Sequence, residues 1–495
     1  MRYLSCSSAQ TSVSFEEAVL TGWGEDNSML LPADIPSIPL PTILRWKSLP
    51  YPSLARIILR YFVSSDEIGD DDWTRIFDHC YDQFLNPVVD YTPLEGLTVA
   101  DLSRGPSLAF KDLGMQCLCS VLDFFLQRRS TTMTVLVGTS GDTGPSAMVA
   151  LKNRLSMNII VLYPVGRVSE EQEAQMLSYD ADSVNTRCFG VEGTSDELDA
   201  PIEAVFKDSE FRRKHVLGSV NSVNVLRLLA QVVHFFDMYL REVRRTSESA
   251  EIDVAIPSGA AGHLTAAVIA KLMGLPIARM IVSTNANDIL HRMLTQGRLV
   301  RGDKVQRTLA SAMDISVPYN IERLLFLASM GDVHSVRTIM DSLRQGEPTT
   351  IPTDVMQWFK DIGMESMRVS DNEILETIRW THFAQNSIQD PHTAVGIAAA
   401  RRLQPAAPSI RAVYCMGCAN PAKFGGTLVQ ALGAEEAEKA KEVLGRRSIH
   451  AQALLTSVSQ LPSLRLTARK FFCRGEDWET LLKQEIVNFE KERMS

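Results

Sequence analysis

Beyond about residue 130 the chain repeats one pattern: a short apolar run, a stop at glycine, serine or proline, then a stretch of helical periodicity. The runs are TMTVLVGT, MNIIVLYP, IDVAIPS, RMIVSTN and IRAVYCM. Each is apolar at consecutive positions, which a strand needs only when both of its faces are buried. Such strands alternating with helices predict a mostly parallel sheet covered on both sides. Ligands of such sheets sit beyond the carboxyl ends of the strands, so the loops after these runs are the places to look for chemistry. Residues 1 to 88 read differently, as helical patterns broken by the proline-rich PADIPSIPLP and carrying the acidic run DEIGDDD. The chain therefore divides into an N-terminal helical domain (1–88), an α/β region of two open, parallel-rich sheet lobes (89–455) and a C-terminal helical segment (456–495). GEPTTIPTD and LQPAAPS read as surface connections, and no repeat of solenoid length is present.

Composition narrows the class. A chain of 495 residues, 45% hydrophobic and 22% charged, is long enough for several lobes and has the balance of a globular enzyme. No charge-free apolar run of membrane length occurs. A net charge of −9 argues against nucleic acid, whose binding rests on neutralising phosphates with Lys and Arg. The N-terminus MRYLSCSSAQTSVSFEEAV has neither a signal-peptide core nor the Arg-rich look of a transit peptide. Eight scattered cysteines favour a reducing compartment. The expectation is a cytoplasmic protein acting on a small molecule, as a monomer or homodimer.

Five stretches could carry chemistry. GPSLAFKDLG sets Lys111 beside Phe110 at the start of a helical run; the lysine is either a desolvated nucleophile or a snorkelling side chain. VLVGTSGDTGPSAMVAL reads as strand, turn and helix; Ser140 and Thr143 lie either beside free amides suited to a carboxylate or phosphate or in a simple capped turn. In SVNSVNVLRLLAQ, Asn221, Ser222 and Arg227 could converge on an anion if the chain turns into a helix near Asn224; the alternative is a helix cap followed by a surface arginine. IPSGAAGHLTAAV sets Ser258, Gly259, Ala260, Ala261 and Gly262 between a strand and a helix, either as an anion site, since small residues let an anion approach the backbone, or as an idle turn. It matches neither the P-loop nor the dinucleotide fingerprint. The CxxC of VYCMGCANPAKFGG lacks a second ligand pair, and no HExxH occurs, so no metal site is indicated. Cys117 and Cys119 read as buried thiols.

Taken in this order, the stretches resemble threonine synthase and its threonine synthase-like relatives, which are pyridoxal-phosphate (PLP) enzymes of the tryptophan-synthase β fold (fold type II). The resemblance runs from SVSFEEAVLTGWGEDNSMLLP through GPSLAFKD, GTSGDTG, YPVGRVSEEQ, NSVNVLRLLAQ, TNANDILHRML, LASAMDISVPYN and DPHTAVGIAAA to ANPAKF. It implies that Lys111 is the lysine joined to PLP, that Asp142 approaches the phenolic oxygen of the cofactor, and that Ser140 and Thr143 receive the substrate carboxylate. It further implies that Asn221, Ser222 and Arg227 grip a substrate phosphate and that the Ser258–Gly262 loop cradles the cofactor phosphate. Cys418 falls where a threonine commonly faces the pyridine nitrogen. His263, next to the loop, is either a further contact to the cofactor or a surface histidine.

The implied activity is that of a lyase. Lys111, released from the cofactor by the substrate amine, removes the α-proton, a second proton leaves the β-carbon and phosphate departs from the γ-carbon. The resemblance implies O-phosphohomoserine or a related phosphorylated amino acid as substrate. Water addition would give threonine; hydrolysis without it would give a 2-oxo acid and ammonia. Elimination or substitution on another activated amino acid, and a non-catalytic PLP-binding protein, are the alternatives. Two positions depart from the housekeeping pattern: the loop reads SGAAGH where SGNFG is usual, as in the threonine synthase-like group, and a thiol stands at 418.

Overall fold

Two parallel-rich sheets carry the molecule. In the computed structural model, which describes residues 1–8, 12–24, 28–302, 304–403, 411–469 and 471–494, the larger sheet has six strands. Their order is Met364–Arg368, Ile277–Thr284, Ile252–Pro257, Ala412–Gly417, Leu97–Asp101 and Asp90–Leu94, the last antiparallel and the others parallel. The second sheet runs Thr186–Val191, Met157–Pro164, Met133–Gly138 and Leu217–Gly218, parallel throughout. All five apolar runs seen in the sequence are strands of these sheets. The strands MNIIVLYP and IDVAIP are buried at every position, as strands covered on both faces must be.

The edge hairpin Asp90–Leu94 and Leu97–Asp101 had no signal in the sequence. Pro93 lies in its outer strand, and proline is tolerated there because an edge has a free side for the missing N–H. The N-terminal region is also more than helical. Besides helices Phe15–Thr21, Tyr51–Arg60 and Asp70–Asp78 it holds three short antiparallel strands, Ser12–Val13, Tyr3–Ser5 and Leu30–Pro32. The acidic run supplies Asp70, Asp71 and Asp72 to the first turn of a helix, where the dipole favours negative charge.

One hydrophobic core joins this region to the rest: Phe15, Ile58 and Trp73 pack in the same cluster as Met115, Phe125, Phe235 and Val254. The long helix Val225–Arg245 lies at its centre, against Lys111–Arg128, Gly262–Leu272 and Tyr51–Arg60. At the other end of the chain, helix Trp478–Met494 lays Leu482, Ile486 and Phe489 on Leu136, Ile160 and Phe189 of the four-stranded sheet. GEPTTIPTD is exposed for the most part, but Thr349–Thr350 pairs with Arg298–Leu299 and Thr353 opens the helix Thr353–Asp361. The LQPAAPS connection lies outside the described residues beyond Leu403. Among the described residues no helix is long and apolar enough to cross a membrane.

Candidate active site

A cavity of about 530 Å³ opens at the carboxyl ends of both sheets. Every residue singled out from the sequence lines it: Lys111, Ser140, Asp142, Thr143, Asn221, Ser222, Arg227, Ser258, Gly259, Ala260, Ala261, Gly262, His263 and Cys418. They come from loops of both sheets.

Lys111 is the first residue of helix Lys111–Arg128. Two devices fix the turn before it. The Asp112 carboxylate accepts from the Ser107 amide at 2.8 Å and the Ser107 hydroxyl at 2.5 Å. The Phe110 amide donates to the Cys418 carbonyl at 2.8 Å, and the Asn420 amide to Leu108 O at 2.9 Å, so the lysine turn and the Cys418 turn are sewn together. Leu108 is held at φ 63° to allow this, an unusual conformation for a bulky residue. The Lys111 amine makes no hydrogen bond or ion pair with a described residue. Burial holds it down at about 8, with Asp142 pushing up and Arg227 and Lys423 pushing down. The snorkelling alternative is thereby set aside.

Asp142 directly precedes helix Thr143–Leu151 and is buried, its side chain turned to partners other than the helix amides. Its Oδ1 accepts from Lys423 Nζ at 2.7 Å and from Gln172 Nε2 at 2.9 Å. Burial alone would raise this carboxyl; Lys423, Lys111 and His392 together hold it well below the usual carboxylate range. Gly141, at φ 148°, is required because a Cβ there would meet the Gln172 amide. The Thr139 hydroxyl accepts from the Gly141 and Gly144 amides, both at 3.0 Å, while those of Ser140, Asp142 and Thr143 have no described partner and form an open helix start.

Two further anion-seeking groups face the same space. Helix Val225–Arg245 starts at the Asn224 cap, as its sequence suggested, and this turns Arg227 inward. Arg227 is buried, its Nη1 donates to Val220 O at 3.1 Å, and its Nε and the Asn221 Oδ1 have no partner among the described residues. It makes no ion pair with a described residue, and burial lowers it to about 10. Opposite, the Ser258–Gly262 loop enters helix Gly262–Leu272 through Ala261 at φ 61°. The amides of Gly259, Ala260, Ala261 and Gly262 donate to no described residue. Gly259 permits this path, since a Cβ would come within 2.9 Å of Met313 Cα.

His263 is a buried residue and not a surface histidine. It stacks on Phe110 at 5.1 Å and 12°, and its Nε2 lies 2.7 Å from Nε2 of His234. Burial lowers His263 to about 3 and His234 well below its usual range. Cys418 is held by its amide, which donates to Thr393 Oγ1 at 2.8 Å. Burial, and then Asp390, raise its thiol well above the usual value, so it is uncharged.

A family model described as "Pyridoxal-phosphate dependent enzyme" matches residues 86–413, and one described as "Threonine synthase N terminus" matches residues 2–81. The chain belongs to the threonine synthase family of PLP enzymes. It is 36% identical over 432 residues to the human (Homo sapiens) protein named threonine synthase-like 2, covering 86% of this chain and 88% of the relative. It is 34% identical over 459 residues to threonine synthase of Saccharomyces cerevisiae, covering 86% and 88%. The crystal structure of threonine synthase from yeast superposes with a TM-score of 0.86 at 30% identity, over 100% of this chain and 98% of that one. The PLP-bound threonine synthase from Brucella melitensis gives 0.85 at 28% identity, over 99% of both chains.

PLP is therefore the cofactor, and the residues present fit it. The half-buried Lys111 amine suits the aldehyde and the amides at a helix start without a described partner suit the phosphate, while the uncharged Cys418 thiol is compatible with the pyridine ring. Three contributors escaped the sequence reading, although each lies in a motif quoted above. They are Lys423 in ANPAKF, Gln172 in YPVGRVSEEQ and His392 in DPHTAVGIAAA, which accepts from the Ala312 amide at 3.0 Å and pairs with Asp390 at 3.0 Å. Their roles depend on contacts between distant segments, which a local pattern does not encode.

Proposed function

We propose that this enzyme eliminates phosphate from O-phosphohomoserine or a closely related phosphorylated amino acid. The observation that carries the reading is Arg227: a buried guanidinium without a carboxylate partner among the described residues, in the same cavity as the half-buried Lys111 amine. Such a charge calls for an anionic ligand, because a buried ion left unpaired is costly.

When bound, PLP supplies an electron sink for the carbon next to the amino group. The residues of the chain do the rest. Lys111, free of ion pairs and held near 8, takes a proton from the α-carbon and can return one. Ser140, Thr143 and the open amides beside them orient the substrate carboxylate. Arg227, Asn221 and Ser222 hold the phosphate group and stabilise its charge as it leaves. The amides of residues 259–262 hold the cofactor phosphate, with His263 against Phe110 closing that side. Cys418, as a neutral thiol, leaves the pyridine nitrogen without a charged partner.

Both threonine and a 2-oxo acid are outcomes of the same elimination, so the test is product analysis with a small panel of phosphorylated amino acids. Phosphate release from one of them, with threonine or 2-oxobutanoate in matching amount, is the expected result. Turnover of none of the panel, by protein that carries PLP, would sink the reading and favour another activated amino acid.

A further inference from the structure

Lys423 is a cation beside the site that the activity described above leaves without a task. It ends the short turn Pro421–Lys423 and its side chain is completely buried. Its own carbonyl is fixed by the Ser169 hydroxyl at 2.8 Å, and the next helix is tied in by the Gly425 amide donating to Glu171 at 3.1 Å. From that anchor Nζ reaches Ser107 O at 2.9 Å and Asp142 Oδ1 at 2.7 Å. It does not line the cavity. Burying an ammonium costs several kcal/mol unless it is well paired, so a stable fold would be served as well by an apolar pair at 142 and 423.

The geometry around Asp142 shows what the arrangement achieves. One carboxylate stands near two lysines, and only Lys423 is bonded to it; Lys111 is left without an ion pair. We propose that Lys423 is a positioning residue: its ammonium, with Gln172, holds the Asp142 carboxylate ionised and turned away from the Lys111 amine, which therefore stays available to react. The proposal rests on Lys111 being the acting amine. Without Lys423 the groups left to bear on the carboxylate would be Lys111 and His392; His392 is already paired with Asp390, so Lys111 would pair with Asp142. The groups that bear on Lys111 are Asp142, Arg227, Lys423 and Cys418, and those on Asp142 are Lys423, Lys111 and His392. Of these only Lys423 both touches Asp142 and repels Lys111.

The test is the pH midpoint at which the Lys111 amine becomes reactive, read by competitive acetylation and mass spectrometry of the Lys111 peptide in the full chain before PLP is added. The wild-type midpoint is expected at about 8. Lys423→Gln keeps a hydrogen-bond donor but removes the charge, and should raise the midpoint by about one unit, a roughly tenfold loss of free amine at neutral pH. A folded Lys423→Gln protein whose midpoint is unchanged or lower would overturn the proposal, because a purely structural Lys423 would lower thermal stability and leave Lys111 alone. Should Lys423→Gln fail to fold, the neutral pair Lys423→Met with Asp142→Asn reads the same contact. Its midpoint is expected at or below that of the wild type, and one above it overturns the proposal. Phosphate release by the wild-type holoenzyme tests the proposed function separately, so the two readings fail by different measurements.

Discussion

Arg227 is fixed by a cap three residues ahead of it and faces a cavity with no carboxylate bonded to it. Its replacement by methionine keeps the stem and removes the charge. Two charge-assisted hydrogen bonds to a substrate phosphate contribute about 1.5 kcal/mol each at the lower end. Arg227→Met should therefore raise KM for the phosphorylated substrate on the order of 100-fold, while the fold holds or gains stability because an unpaired buried charge is gone. Thermal unfolding with added inorganic phosphate checks this: the wild type should be protected and the variant should not. At this scale the sequence was informative only through the order of its motifs, because Lys111 and Arg227 taken alone are equally a snorkelling lysine and a surface arginine. It was silent on His234, whose partner His263 lies on another helix, and on Lys423, whose carboxylate lies on another sheet.

Helices Val225–Arg245 and Gly262–Leu272 are the elements that bring Arg227 and the Ser258–Gly262 loop together, and the His234–His263 contact lies between them. Both imidazoles are buried and neutral. Their folded values are depressed, so the unfolded chain binds their protons first. The stability linked to the pair is complete above about pH 6.5 and declines as pH falls toward about 3 for His263. Each imidazole contributes a slope of about 1.4 kcal/mol per pH unit in that window. Denaturant unfolding of His234→Leu between pH 7 and pH 5 should give a slope shallower by about 1 kcal/mol per pH unit on average, and equal slopes would rule the linkage out. Element type was legible where apolar runs end in glycine or serine, as in TMTVLVGT and IDVAIPS. It was not legible for the hairpin at Asp90–Asp101 or the N-terminal strands, which are too short or too proline-marked to show a period.

The whole molecule holds its cavity between two sheets, and the C-terminal helix covers the smaller one. Phe489 is buried there among Leu136, Ile160 and Phe189, and the Arg187 guanidinium lies 4.0 Å from its ring centre. Phe489→Ala should cost about 3–5 kcal/mol, the usual range for a buried aromatic truncated in a core. Because the same sheet carries the Ser140–Thr143 turn at its carboxyl end, PLP affinity should weaken together with stability. A denaturation midpoint unchanged by the substitution would contradict this packing. The PLP-dependent fold and the two-sheet plan were readable from the strand pattern and the motif order together; that the N-terminal residues share the central core was not, since burial of Trp73 and Phe15 against distant helices leaves no local trace.

The most direct measurement follows inorganic phosphate by phosphorus NMR while the PLP-loaded enzyme is incubated with O-phosphohomoserine. Catalytic release of phosphate by the wild type, abolished in Lys111→Ala and sharply reduced in Arg227→Met, is the predicted result. An intact substrate signal with PLP-loaded wild type, or release that survives Lys111→Ala, would contradict it.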